Sequence, residues 1–170
     1  MKLKTKDLTI IALFCAIMCV ISPITIPTGT IPFSLSLFAV MLTAISLGTK
    51  KGTAAILIYI LIGMLGLPVF SGFTGGIHIV FGPTGGFILS YILISIIVSI
   101  ASRHKKLTLY IFSILSLFVC YLIGSLQYTY IARASFHNAL LVCVYPFIIF
   151  DILKVFFAVN LGIKLKSLIR

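Results

Sequence analysis

The stretch "GLPVFSGFTGGIHIVFGPTGG", residues 66–86, decides the fold class because it is rich in glycine and yet apolar. Loops that face water are normally polar, whereas this one contains no Lys, Arg, Asp or Glu. Irregular backbone at membrane depth persists only where it lies against protein or lines a cavity. The stretch therefore predicts a membrane protein in which a loop folds back onto the helices around it.

The composition of the whole chain agrees with this prediction. Of 170 residues, 61% are hydrophobic and 9% are charged, against about 25% charged residues in soluble domains. A bilayer core of about 30 Å requires roughly 20 apolar residues per helix. We therefore predict an all-α integral membrane protein, with residues 1–170 forming one six-helix membrane domain whose approximate spans are 8–26, 34–48, 52–67, 85–101, 107–130 and 138–163.

The cationic residues predict the orientation of these spans. Eleven of the thirteen lie in the two termini or in alternate loops: Lys2, Lys4, Lys6, Lys50, Lys51, Arg103, Lys105, Lys106, Lys164, Lys166 and Arg170. Such an excess marks the cytoplasmic side of a membrane protein. We therefore expect a protein of the plasma membrane of a prokaryotic cell with both termini in the cytoplasm. The net charge of +11 is explained by this orientation and requires no nucleic-acid partner. The glycine-rich loop and the proline-rich stretch "SPITIPTGTIPFS", residues 22–34, then lie on the outer side.

Several chemical functions are not supported by the sequence. The segment "GPTGGF" lacks the lysine and the preceding strand of a phosphate-binding loop, so active transport would need energy from another polypeptide or from an ion gradient. No nucleophile–base pair or metal-ligand cluster is present, and we expect no enzymatic activity, no metal and no cofactor. The four cysteines lie in apolar runs, where a free thiol behaves as a small hydrophobe.

Two ionisable residues lie within the last predicted span. Asp151 and Lys154 are three residues apart in "PFIIFDILKV", residues 146–155, so they share one helix face. They could form an ion pair that only eases insertion, but ionisable residues in a span usually face a cavity or a transport pathway. A carboxylate accepts N–H donors and a lysine pairs with an anion. A solute with an amide-like group and a carboxylate would suit both, and proton or sodium coupling is the competing use.

The glycine-rich loop and the first span hold the other candidate residues. Glycine allows close approach of backbone to a ligand, so the loop predicts ligand contacts from Gly75, Gly76, Gly85 and Gly86, with His78 and Thr84 as its polar side chains. Tight turns and helix packing are the structural alternative. On the first span, Ala12 and Ala16 form a small-residue face for close helix contact, either within the chain or with a partner protein.

The segments "IPFSLSLFAVML", "LGLPVFSGFTGGIHIVFGPTGGF" and "YPFIIFDILKV" occur in the order found in the BioY family, which the chain resembles from about residue 9 to residue 165. BioY proteins are the biotin-specific substrate-binding (S) components of energy-coupling factor (ECF) transporters. The resemblance implies a high-affinity biotin-binding membrane subunit with six helices and a pocket open to the outside. It also implies two kinds of partner, a transmembrane coupling protein and a pair of cytosolic ATPases.

The resemblance also implies roles for particular residues. Asp151 would contact the ureido ring of biotin and Lys154 would lie near its valerate end. The loops before the second and fourth spans would help to close the pocket, and Ala12 and Ala16 would pack on the coupling protein. Tyr91, Gln127 and Tyr128 are candidate wall residues. Two alternatives remain open at this point, an S component for a different vitamin and a self-sufficient ion-coupled transporter.

Overall fold

The computed structural model describes residues 4–26 and 33–169 and is a bundle of helices with one small pair of strands. The helices are α1 (Thr5–Ile21), α2 (Ser36–Met64), α3 (Ile77–Val80), α4 (Gly85–Ala101), α5 (Lys106–Ala132), α6 (Phe136–Cys143) and α7 (Ile148–Ile169). Between α1 and α2, strand β1 (Thr25–Ile26) pairs antiparallel with strand β2 (Phe33–Ser34). The fold is therefore all-α, as predicted.

Helix α2 reverses direction at Gly48. This residue has φ of 73° and ψ of −177°, a conformation that favours glycine. A Cβ atom on Gly52 would lie 3.2 Å from the Cα atom of Ala44, although residues eight apart in a straight helix are about 12 Å apart. The two halves of α2 therefore lie side by side, and they correspond to the predicted second and third spans.

The core of the bundle lies around α2. This helix contacts α1, α4 and α7, and α4 in turn packs on α5. Between α2 and α4, hydroxyl groups are hydrogen-bonded in two pairs, Thr53 with Ser95 at 2.9 Å and Ser99 with Thr49 at 3.0 Å. Such hydrogen bonds between helices satisfy hydroxyl groups for which lipid offers no hydrogen-bond partner. The outer helix faces are apolar, which fits contact with lipid.

Three predicted spans agree with the helices to within a few residues. The span 85–101 coincides with α4, 107–130 lies within α5, and 34–48 lies close to the first half of α2. Two others extend too far. The first helix ends at Ile21 because Pro23 follows. The third span was predicted over 52–67, but its helix ends at Met64 because Gly66, with φ of 102°, turns the chain before Pro68.

The prediction of one continuous helix over 138–163 for the last span is wrong. The chain leaves helical geometry between Cys143 and Ile148, and α6 and α7 meet at a bend of 55°. Pro146 lies at this break and lacks the N–H group that an uninterrupted helix would need there.

By length and composition, α5 is apolar enough to cross a membrane, and the bent α6–α7 pair is a second candidate among residues 4–26 and 33–169. Helix α2 reaches the length of a span only when its two halves on either side of Gly48 are counted as one helix. Helices α1 and α4 have 17 residues each, slightly fewer than the roughly 20 of a typical span. The count of six crossings and the cytoplasmic placement of both termini therefore stay predictions.

The prediction that residues 66–86 fold back onto the protein is confirmed. Phe70 is buried against Gly63, whose carbonyl oxygen accepts a hydrogen bond from the N–H of Gly76 at 2.7 Å. The loop also reaches the first connection, where the N–H of Gly72 donates to the carbonyl oxygen of Pro23 at 3.2 Å. The two irregular connections therefore lie together at the end of the bundle nearest Asp151.

Candidate functional site

A cavity of about 250 Å³ lies inside the bundle beneath the two irregular connections. Its volume is close to the lower limit of about 300 Å³ that is usual for small-molecule pockets. Most of its wall is apolar and aromatic. The lining residues are Ser34, Leu37, Phe70, Ser71, Thr74, Ile79, Thr84, Phe87, Ile88, Tyr91, Leu117, Cys120, Tyr121, Cys143, Phe147, Asp151 and Lys154.

The carboxylate of Asp151 is the anionic group of this cavity. Asp151 is 6% exposed and lies in the first turn of α7. Its Oδ1 atom accepts a hydrogen bond from Lys154 Nζ at 2.7 Å, and its Oδ2 atom accepts one from Tyr121 Oη at 2.6 Å. A carboxylate has about four lone-pair sites. Both oxygens therefore retain capacity to accept further N–H donors from the cavity.

Lys154 joins α7 to the connection between α1 and α2. Besides its bond to Asp151, its Nζ atom donates to the carbonyl oxygen of Ser34 at 2.6 Å and lies 3.7 Å from the ring centroid of Phe33. The Phe33 ring is itself packed edge-on against Phe150. The ammonium is only slightly exposed, and its three donor directions are largely used. An anion that binds Lys154 must displace one of these neighbours, and the neutral Ser34 carbonyl is the weakest hydrogen-bonding partner.

The structure brings four of the predicted site residues together. Asp151, Lys154, Thr84 and Tyr91 all line the cavity. Gly75, Gly76, His78, Gly85 and Gly86 do not appear in its lining, and their predicted contact with a substrate stays a prediction.

Packing accounts for two of these glycines. A Cβ atom on Gly85 would clash with the carbonyl oxygen of Val80, and one on Gly86 would lie 2.7 Å from the carbonyl oxygen of Ile123 on α5. Both positions thus need glycine so that the start of α4 can approach α3 and α5. For these residues the structure favours the packing alternative.

Gln127 has a structural position that the sequence did not indicate. Its Nε2 atom donates to the carbonyl oxygens of Val80 and Gly82, each at 2.9 Å. The side chain therefore fixes α3 and the following turn on α5. Gln127 and Tyr128, both predicted as wall residues, lie outside the cavity lining, and the loop residue His78 is exposed.

Tyr121 is the site residue that sequence reasoning missed. A buried carboxylate needs hydrogen-bond donors, so a second partner for Asp151 was to be expected, but several tyrosines could have supplied it. The available signal is the spacing on α5. Leu117, Cys120, Tyr121, Gly124 and Tyr128 recur at helical intervals and are all buried, which indicates that this face points inward.

The alanine face of α1 is turned away from the bundle. Ala12 and Ala16 are exposed, whereas Ile11, Cys15 and Met18 are buried against the rest of the chain. The described residues do not form an intramolecular contact at this face, which was one of its two alternatives. The small side chains are accessible to the surroundings.

An apolar, partly aromatic cavity with a paired carboxylate and ammonium suits an amphipathic solute that carries both N–H donors and an anionic group. The fold and the site together define a helical membrane protein of the solute-binding class. The chain belongs to the BioY family, whose family model matches residues 1–170.

Several curated relatives are similar over almost the whole chain. The chain is 38% identical over 166 residues to the probable biotin transporter BioY of Pyrococcus horikoshii, with 97% of this chain and 99% of that protein covered. It is 35% identical to the biotin transporter BioY2 of Lactococcus lactis, covering 95% and 91% of the two chains. The biotin transporter BioY of Thermotoga maritima is 35% identical, covering 92% and 93%.

The fold is that of a solved membrane protein. The crystal structure of the S component for biotin from an ECF-type ABC transporter superposes with a TM-score of 0.89, covering 98% of this chain and 95% of that chain, at 21% sequence identity. This likeness confirms the all-helical membrane fold. The protein is a multi-pass protein of the plasma membrane.

Proposed function

We infer that this protein binds biotin and mediates its uptake as the S component of an ECF-type transporter. The observation that carries the inference is the Asp151–Lys154 pair in the wall of a mainly apolar cavity, in a chain of the BioY family. The names of the relatives, biotin transporters from an archaeon and from bacteria, support the same substrate. The protein is a transport component and not an enzyme.

The cavity offers complementary groups to both ends of biotin. The ureido ring has two N–H donors, and Asp151 has lone pairs left on both oxygens after accepting from Lys154 and Tyr121. The bicyclic ring and the chain are apolar and suit walls such as Phe87 and Leu117. The valerate carboxylate is an anion, and Lys154 supplies the cation within the lining.

The glycine-rich loop can contact the solute through its hydroxyl groups. Ser71, Thr74 and Thr84 line the cavity, and each can donate to or accept from a polar ligand atom. Ser34 contributes from the other connection. We propose that movement of the glycine-rich loop and of the described part of the first connection admits and then encloses the solute, because residues of both line the cavity.

The proposed partners are a transmembrane coupling protein and a pair of cytosolic ATPases. The exposed small face of Ala12 and Ala16 supports a close helix contact outside the chain. An ion-coupled transporter is the weaker alternative. It would be expected to hold more acidic residues within the membrane, whereas the whole sequence has two, and Asp7 lies near the amino terminus.

Equilibrium binding of radiolabelled biotin to the purified protein tests the proposed function. We expect saturable binding with one biotin per chain, displaced by unlabelled biotin and not by riboflavin or thiamine. Saturable binding of radiolabelled riboflavin or thiamine, with none of biotin, would identify an S component with a different substrate. Absence of saturable binding by a folded preparation would contradict the proposal.

A further inference from the structure

Four large apolar side chains are exposed on the glycine-rich connection that covers the cavity. Leu65 follows α2, Phe73 lies in the turn after it, and Ile77 and Phe81 lie at the two ends of α3. Their exposed fractions are 82%, 69%, 56% and 67% in that order. We call these four residues the apolar rim, because residues between them line the cavity, namely Phe70, Ser71, Thr74 and Ile79.

The composition of the rim is unlike that of a loop in water. Residues 65–86 contain no Lys, Arg, Asp or Glu, and the exposed side chains include two phenylalanines. Contiguous exposed apolar surface marks contact with a membrane, a protein or a ligand. The rim therefore has a partner, and its depth in the membrane indicates which kind.

The backbone at Phe73 indicates that this side chain has a favourable environment. Its φ of 58° lies in the left-handed region, which is unfavourable for a bulky residue. The turn is held in place because the N–H of Phe70 donates to the carbonyl oxygen of Thr74 at 2.9 Å. A phenyl ring exposed to water would not offset the backbone cost, whereas transfer of the ring to an apolar layer is favourable.

Helix α5 gives a measure of the depth of the rim. Its residue Gln127 donates hydrogen bonds to the carbonyl oxygens of Val80 and Gly82. Phe81 lies between these two residues and therefore at the level of Gln127. Gln127 is 21 residues beyond Lys106, the first residue of α5, or about 32 Å along the helix axis. The hydrocarbon core of a bilayer is about 30 Å thick, so with Lys106 at the cytoplasmic headgroups Phe81 lies at the outer boundary of the core.

The end of α5 marks the headgroup layer on the same side. Tyr130 is 84% exposed, and the exposed residue Arg133 ends the helix. Tyrosine is enriched at the interface between membrane and water, and arginine near a helix end extends toward it. Along the axis these residues lie about 5 and 9 Å beyond Gln127. The level of Phe81 is therefore on the hydrocarbon side of both.

We propose that the apolar rim is immersed in the outer leaflet at the boundary between acyl chains and headgroups, so that the cavity opens into the lipid interface and not into bulk water. The rim has no charged side chain and therefore requires no particular headgroup. A second copy of the chain would also cover apolar side chains, but it would not require them to lie at the level of this boundary. The immersion does not depend on the identity of the solute, so its main test requires no biotin.

The absence of tryptophan from the chain allows the depth of the rim to be measured. Phe73→Trp and Phe81→Trp each place one fluorophore in the rim. The references are Tyr130→Trp and Phe118→Trp, of which Phe118 is exposed on α5 about 18 Å from Lys106. Each full-length variant is reconstituted in vesicles of phosphatidylcholine brominated at a shallow or a deep position of the acyl chains, and thermal unfolding establishes that the fold is retained.

We expect both rim tryptophans to be quenched most strongly by the shallow bromine and the tryptophan at position 118 by the deep one. Aqueous iodide should quench the rim tryptophans severalfold less than the tryptophan at position 130. Iodide quenching of the rim as strong as at position 130, without quenching by brominated lipid, would overturn the proposal in favour of a rim in water. Protection from both quenchers that is lost on dilution of the protein in lipid would overturn it in favour of a second copy.

The position of the cavity opening has a kinetic consequence that rests on the proposed function. The surface potential of a membrane rich in anionic lipid lowers the concentration of a monovalent anion at the interface about three- to sevenfold, and this effect decays within about 8 Å at physiological salt. Biotin should therefore associate about three- to sevenfold more slowly in such vesicles than in phosphatidylcholine, whereas the neutral biotin methyl ester should not. Equal rates for biotin in the two membranes, or an equal slowing of the ester, would overturn an opening at the interface.

Discussion

Replacing Lys154 by methionine decides which part of the solute this residue contacts. Methionine keeps an unbranched apolar stem but removes the ammonium that donates to Asp151 and to the carbonyl oxygen of Ser34. Loss of the ammonium also leaves a buried carboxylate whose remaining side-chain partner is Tyr121. Breaking a buried ion pair costs about 3–5 kcal/mol of folding stability. Because Asp151 is then held less firmly in the cavity, binding of every ligand should weaken to some extent.

A second ligand isolates the specific contribution of the ammonium. Biotin methyl ester has the same ring and chain as biotin but no anion. If the valerate carboxylate replaces the Ser34 carbonyl on Lys154, a neutral hydrogen bond of about 0.5–1.5 kcal/mol is exchanged for a charged one of about 1.5–3 kcal/mol. The net gain of about 1–1.5 kcal/mol means that Lys154→Met should weaken biotin about tenfold more than it weakens the ester.

The measurement is equilibrium binding of both ligands to both proteins, which completes a double-mutant cycle. Lys164→Met serves as the control, because Lys164 is exposed on the same helix and lies outside the cavity, and it should change neither affinity. The double variant Asp151→Asn with Lys154→Met has no unpaired buried charge and checks that the fold tolerates the substitution. Equal losses for biotin and its ester would refute the proposed contact and leave Lys154 with the role of holding Asp151 and Ser34 in place.

Three further predictions test other parts of the site. Asp151→Asn should weaken biotin binding about 10- to 100-fold while membrane insertion is retained, because the amide loses a charged acceptor worth about 1.5–3 kcal/mol; unchanged affinity of the folded variant would make the ion pair purely structural. Tyr121→Phe removes the 2.6 Å hydrogen bond to Asp151 and should weaken biotin binding about tenfold. The control is Tyr128→Phe, which should leave binding unchanged because Tyr128 is buried on the same helix but lies outside the cavity. Ala12→Trp or Ala16→Trp should abolish biotin uptake by cells, because a bulky side chain blocks a close helix contact, and should spare biotin binding by the purified protein. Loss of binding with intact assembly would argue against an external partner at this face.

The sequence predicted those features that depend on local spacing or on transfer to lipid. The three-residue separation of Asp151 and Lys154 placed them on one helix face, and the structure has them 2.7 Å apart. The bounds of α4 followed from an uninterrupted apolar run between a glycine pair and a basic loop. Such inferences need only the helical period and the thickness of the bilayer.

Features that depend on contacts between distant segments were not predicted. Tyr121 meets Asp151 across 30 positions of the chain, and nothing local distinguishes it from the other buried tyrosines. The glycines at 85 and 86 were interpreted as ligand contacts because glycine spacing cannot tell whether a ligand or a neighbouring helix approaches the backbone. The break at Pro146 had a local signal, but the apolar residues on both sides supported a continuous span and obscured it.

The bend at Pro146 also has an electrostatic consequence. An aspartate near the centre of a membrane-spanning helix disfavours insertion by about 2.5–3.5 kcal/mol. Because the chain breaks before Ile148, Asp151 lies in the first turn of a new helix, and the positive end of that helix dipole can offset up to about 2 kcal/mol for a partly buried anion. The proline that interrupts the last span thereby makes it a tolerable place for a carboxylate.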